Sequence, residues 1–146
     1  RKTRRKGEND MIILSVDYGD SRTGLAVCDR LEMLASPLGV INEKYEPHVL
    51  EAVASAAEQS KAQLIVVGLP RNMDGSFGPR AEKCTDFARK LEEASKIKTV
   101  MFDERLTTVS AHRALNEVNV RGKKRKGIVD AVAAVMILED FLKTRR

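Results

Sequence analysis

Met11-Ile-Ile-Leu-Ser-Val-Asp17-Tyr-Gly19-Asp-Ser-Arg22-Thr-Gly24-Leu-Ala26-Val-Cys28 is the stretch that decides the fold. An almost continuous apolar run ending in Asp-Tyr-Gly reads as a strand over residues 11–18 that is buried on both faces, and therefore central in a sheet. Asp20 and Ser21 make a turn, and residues 23–29 return as a second strand. Residues 34–41 supply a third, which Pro37 and Gly39 mark as an edge or bulged strand. Three strands joined by short turns form an antiparallel meander.

Beyond it the period changes. Val49, Leu50, Val53, Ala56 and Ala57 recur at helical spacing within residues 47–61. A short buried strand over 64–67 is stopped by Gly68 and Pro70, and a polar, Gly-rich loop covers 71–78. Pro79 opens a helix over 79–95, with Cys84, Phe87, Ala88 and Leu91 on one face. Residues 98–102 form a fifth strand, 107–118 a helix, 119–127 a basic loop and 128–142 a final helix. A strand–helix–strand crossover requires parallel pairing. The expectation is one α/β domain over 11–146 with a mixed five-stranded sheet flanked by helices, preceded at 1–10 by a flexible basic extension. Met11 is one candidate start, and residues 1–10 are read as an alternative start, an expression remnant or a basic arm.

Composition narrows the class. The chain has 146 residues, 42% hydrophobic and 4% aromatic, enough for one aliphatic core. No apolar stretch nears the roughly 20 residues needed to span a bilayer, and no apolar signal segment follows the polar start. Cys28 and Cys84 have neither CxxC nor zinc spacing and read as reduced thiols in a cytosolic protein. The net charge is +5, with five basic against two acidic residues in 1–10 and a second basic run from Arg121 to Lys126. Such clusters suit nucleic acid, although a lone run is often only a solvated loop.

The acids stand in costly places. Asp17 ends the first strand, Asp103 and Glu104 follow the fifth, and Asp130 opens the final apolar helix. A carboxylate at a buried strand end needs compensation, and several of them are most simply compensated by a shared hard cation such as magnesium. The plain alternatives are a hairpin-turn Asp for Asp17 and a first-turn, dipole-stabilised acid for Asp130. Consecutive Asp103 and Glu104 must alternate, one toward the mouth of the sheet and one away. Asp130 shares a helical face with Ala134, Ile137 and Phe141, and the small residues Ala131, Ala133 and Ala134 let that helix approach the sheet closely. Gly19 permits a tight turn, and Arg22 suits bidentate phosphate pairing. In the loop Gly68–Arg80, which is not a P-loop, Arg71, Asn72 and Arg80 are candidates for a nucleic-acid backbone. Arg105 and Lys123, Lys124, Arg125 and Lys126 complete that set. Thr107 and Thr108 read as helix caps, and His48 and His112 receive no role. No aromatic platform for unpaired bases is visible, which favours recognition of backbone and shape.

The segments VDYGDSRTGLAV, VVGLPRNMDGSFGPRAEK, FDERLTTVSAHRAL and KRKGIVDAVAAVMIL, in this order and spacing across residues 11–142, resemble the YqgF family. Its members are also described as RuvX-like Holliday junction resolvases and as pre-16S rRNA nucleases. The resemblance implies an RNase H-like fold with strand order 3-2-1-4-5 and a bacterial cytoplasmic protein. It implies that Asp17, Glu104 and Asp130 hold magnesium or manganese. Related resolvases carry their second acid on strand four. Here that strand ends in Gly68-Leu-Pro70, so the acid comes from Asp103 or Glu104, or from Asp74 in the loop. The expected activity is metal-dependent phosphodiester hydrolysis in structured RNA, at the 5′ end of pre-16S rRNA. The alternatives are a dimeric resolvase of branched DNA, and a noncatalytic RNA-binding factor of ribosome biogenesis. Monomer and homodimer are both open, and no membrane partner is expected.

Overall fold

A computed structural model describes residues 11–71, 74–103 and 123–145, and in the last helix the side chains from Ala131 onward. Strand β1 spans Ile13–Asp17 and is buried at all five positions, as a central strand must be. It pairs antiparallel with β2 (Arg22–Cys28), which pairs antiparallel with β3 (Ala35–Asn42). On its other side β1 runs parallel to β4 (Leu64–Leu69), and β4 parallel to β5 (Thr99–Asp103). The sheet order is 3-2-1-4-5, the mixed RNase H-like arrangement that the sequence implies. As expected, β3 is an edge strand and is bulged. Leu25 faces Gly39 but Ala26 faces Pro37, so Leu38 is the extra residue.

Helix α1 (Glu46–Ser60) and helix α2 (Pro79–Ser95) each have proline in the first turn, where its missing N–H costs nothing. They end at Lys61 and Lys96, both left-handed at φ 62°. Helix α3 covers Lys123–Thr144. It begins inside the stretch expected to be a basic loop, so residues 123–127 are helical. Lys and Arg are good helix formers, and four of them outweigh the roughly 1 kcal/mol that Gly127 costs. The helix expected at 107–118 lies outside the described residues, as do residues 1–10.

Strand alternation sorts the core into two layers. Leu14, Val16, Leu25, Ile65 and Val67 face α1 and α2, and pack against Val49, Val53, Phe87 and Leu91. Ile13, Ala26, Cys28, Leu64 and Val66 face α3, and pack against Ala133, Ala134, Ile137, Leu138 and Leu142. The alanines bring α3 close enough for Ser15 on β1 to donate its hydroxyl to the Ala134 carbonyl at 2.8 Å. Both cysteines are buried thiols outside any disulfide. Burial raises the pKa of the Cys28 thiol, which keeps it protonated.

A buried acid clamps the far end of the sheet. Glu32, left-handed at φ 57° in the β2–β3 turn, takes the Met11 N–H at 2.9 Å and the Arg145 guanidinium at 2.7 and 3.2 Å. Helix α3 therefore runs antiparallel to β1, from Ser15 at Ala134 to the β1 entrance at Arg145.

Candidate active site

The carboxyl ends of β1, β4 and β5 meet at one edge of the sheet, where the strands stop at Asp17, Leu69 and Asp103. Asp17 ends β1 opposite Gly24 and is only 6% exposed. Its alternation with Ser15 and Ile13 turns it to the α3 face of the sheet. Two strand residues advance about 6.6–6.8 Å from Ser15 to Asp17, and four helical residues run about 6 Å from Ala134 back to Asp130. Since Ser15 touches Ala134 and the two elements run in opposite directions, position 130 of the helix backbone lies level with Asp17. Asp130 is the eighth residue of α3, and the first turn holds no acid. The first-turn dipole explanation of Asp130 is therefore lost.

Asp103 ends β5, paired with Leu69. Alternation sets it with Met101 on the other face, toward α2. There its Oδ2 lies 2.9 Å from Arg71 Nε. The approach is off the N–H axis, so the contact is an ion pair rather than a directed hydrogen bond. Asp74, the loop alternative, is exposed and closes its own turn. Its Oδ1 accepts from the Ser76 hydroxyl at 2.6 Å and the Ser76 N–H at 2.9 Å, and these bonds, the hydroxyl's first, hold its pKa below the ordinary value. Asp103 thus engages Arg71 on the α2 face, and Asp74 closes its own turn with Ser76. Glu104, the next residue after Asp103, lies outside the described residues. So do Asn72 and Arg105, and the side chains of Asp130, Lys123, Lys124, Arg125 and Lys126.

The turn that carries Asp17 is braced from α1 and α2. Tyr18 stacks on Phe87, with ring centroids 4.0 Å apart, and donates its hydroxyl to Glu46 at 3.3 Å. Glu46 in turn binds Lys90 Nζ at 2.6 Å. Burial, then the Glu46 charge, push the Tyr18 phenol up to about 12. Arg80, on the first turn of α2, donates to the Tyr18 carbonyl at 3.0 Å while remaining exposed. Gly19 is required by the turn itself, because a Cβ there would collide with the Arg22 carbonyl oxygen.

Arg71 is tied into its own loop. Besides Asp103 it donates to the Gly75 carbonyl at 2.7 Å and lies 4.0 Å over the Phe77 ring. Its charge organises the loop, whereas Arg22 and Arg80 stand beside the Asp17 turn. Phe77 was passed over in the sequence. The only signal was one aromatic residue amid Gly75-Ser-Phe-Gly78, and nothing local shows which way it points.

Among the described residues no three ligand-type side chains form a metal cluster. The donor type nevertheless suits a hard cation. Asp17 is a buried carboxylate at a sheet edge, level with a second acidic position on the α3 backbone.

Comparison with known proteins follows the same outline. Residues 11–144 match the family described as RuvX, Holliday junction resolvase. A Halothermothrix orenii protein named "Putative pre-16S rRNA nuclease" is 45% identical over 132 residues, 90% of this chain and 94% of that one. One of the same name from Ruminiclostridium cellulolyticum is 42% identical over 134 residues, with the same shares covered. The fold is similar to that of T. thermophilus RuvC in complex with Holliday junction substrate, with TM-score 0.60, 11% identity, and 92% and 95% of the two chains covered. The Fowlpox virus resolvase in complex with Holliday junction DNA gives TM-score 0.55 at 13% identity, covering 92% and 99%.

Proposed function

The chain belongs to the RuvX family of nucleases, and from that premise we propose that it hydrolyses phosphodiester bonds of structured RNA, with the 5′ end of pre-16S rRNA as substrate. The observation that carries the catalytic part is the buried Asp17 carboxylate level with helix position 130. The relatives' names support the choice of RNA.

Asp17, Glu104 and Asp130 are the proposed ligands of magnesium or manganese. These carboxylates would hold the cation, which would supply Lewis-acid activation of a water nucleophile and charge neutralisation at the departing oxygen. Asp17 is held in place by the Tyr18 stack and the Arg80 bond to the Tyr18 carbonyl, so its carboxylate is positioned before substrate arrives. Arg22 and Arg80 are proposed to hold phosphates beside it, and Asn72 and Arg105 are proposed to join them. Lys123, Lys124, Arg125 and Lys126 occupy the start of α3, where the helix dipole disfavours cations. Their placement there is readily understood if they meet phosphate oxygens. Arg71 is proposed to act indirectly, by keeping Asp103 off the metal side and orienting the chain that leads into Glu104. A cytoplasmic site of action is proposed with the nuclease reading, and among the described residues no helix is long and apolar enough to cross a membrane.

Cleavage of a pre-16S 5′-leader RNA and of a four-way DNA junction, each with magnesium, manganese or EDTA, tests this reading. Metal-dependent trimming of the leader supports it. Preferential symmetric cutting of the junction by a dimer favours the resolvase reading, which the family description and the fold similarity to RuvC both accommodate. Binding of RNA without turnover in any metal leaves the noncatalytic RNA-binding factor.

A further inference from the structure

The loop between β4 and α2 presents its one aromatic ring to solvent. Phe77 is 54% exposed, yet its ring is not loose. The Arg71 guanidinium covers one face at 4.0 Å and is itself fastened to the Gly75 carbonyl and to Asp103. A stacked, doubly anchored guanidinium is a rigid backing for an aromatic ring. Beside Phe77 an open cavity of about 390 Å³ is lined by Leu69, Ala81, Glu82, Thr85 and Asp86. That is within the size of small-ligand cavities, roughly 300–1,000 Å³.

The lining selects among the parts of a nucleotide. Glu82 and Asp86 are both exposed carboxylates on the outer side of α2, and they repel a phosphate group. Asp86 meets Arg89 only at 3.4 Å on the surface, a contact too weak to cancel its charge. An apolar floor with an aromatic wall instead favours a planar heterocycle, and the carboxylates favour one that offers N–H donors. Guanine fits best, because its Watson–Crick edge offers two adjacent donors to the two oxygens of one carboxylate. We propose that this cavity binds one unpaired nucleobase of the substrate, preferably guanine, stacked on Phe77.

The proposal rests on the nuclease reading and sharpens it. Leu69 pairs with Asp103 at the same sheet edge that ends in Asp17, so a base captured here would fix the register of the strand relative to the cleavage centre. The substrate must then offer an unpaired position near the bond that is cut. Aromatic recognition of a base thereby replaces the expectation of contacts to backbone and shape alone.

The test is equilibrium binding in EDTA, where no cleavage intervenes. Wild type and Phe77→Leu are titrated with a fluorescent 5′-leader RNA and with DNA of the same sequence, each scanned with one abasic position at a time. In wild type, one position should lose on the order of ten-fold in affinity when its base is removed. Phe77→Leu should lose a similar factor on intact substrate and then be insensitive to that abasic position. Inosine in place of guanine there should weaken wild type less, by the loss of one donor. 2-Aminopurine at the same position should be quenched on binding wild type, a readout that does not depend on the variant's folding. The RNA and DNA series show which sugar accompanies the base. A flat abasic scan, or Phe77→Leu binding as tightly as wild type, overturns the base pocket while leaving the nuclease reading in place. Failure of wild type to bind either nucleic acid overturns both.

Discussion

Asp17 and Asp103 end parallel strands at the same edge of one sheet, but they face opposite layers. Asp17 looks toward α3 and an acidic helix position, while Asp103 looks toward α2 and meets Arg71 at 2.9 Å. The difference is one of parity: β1 closes on a residue of the α3 face, and β5 closes on a residue of the α2 face. Two carboxylates at one sheet edge therefore need not converge. A site at such an edge is assembled from residues of matching parity, and the others are available to hold loops.

The sharpest way to break this contrast is to neutralise each acid in turn. Asp17→Asn should lower metal-dependent turnover by on the order of a thousand-fold, about 4 kcal/mol of barrier, while RNA binding in EDTA is retained. Asp103→Asn should cost roughly ten- to a hundred-fold, the range for residues that orient a ligand rather than act as one. Single-turnover cleavage measures both, and equal losses would show that Asp103 is itself a ligand.

The next test moves the helix instead of the acid. Ser15 is fully buried and its hydroxyl bonds the Ala134 carbonyl, so Ser15→Val removes the donor and adds bulk between β1 and α3. It should destabilise the fold by about 1–3 kcal/mol and reduce turnover by raising the metal concentration needed for half-maximal rate. Thermal unfolding and a magnesium titration read the two effects. Unchanged metal dependence would mean that α3 carries no ligand.

Arg71→Met asks what the Asp103 side contributes. Loss of the ion pair, the Gly75 bond and the Phe77 contact should cost about 1–2 kcal/mol in stability, read by urea unfolding. A parallel loss of turnover should be partly restored in Arg71→Lys, which keeps the charge.

The smallest effect concerns pH. The Tyr18 phenol is pushed up to about 12 from its ordinary 10 by burial and by Glu46. A raised pKa contributes stability that is fully present below pH 10 and is lost as pH rises through about 12. The wild-type minus Tyr18→Phe difference in unfolding free energy should therefore shrink between those values. A difference that is flat with pH would exclude the Glu46 and burial effect.

Much of this molecule is legible in its sequence alone. The all-buried β1 followed from an uninterrupted apolar run, and the edge position of β3 from Pro37 and Gly39. The close approach of α3 followed from Ala133 and Ala134, and the prolines marked where α1 and α2 begin. The start of α3 is not legible as helix, because a basic run beside Gly127 resembles a loop although Lys and Arg favour helix. The clamp of Glu32 by Arg145 spans 113 positions of sequence, and no local pattern announces it. Phe77 escaped notice because exposure of a single aromatic ring depends on which neighbours reach it.

By itself the sequence determined the elements, their order, and the acids that sit too close to a core to be accidental, since periodicity and backbone chemistry act over a few residues. Only the tertiary structure decided which layer each strand-end acid faces and which cation is bound to which partner. Those outcomes depend on strand parity at the sheet edge, and on contacts such as Arg80 with Tyr18 that join residues 62 positions apart.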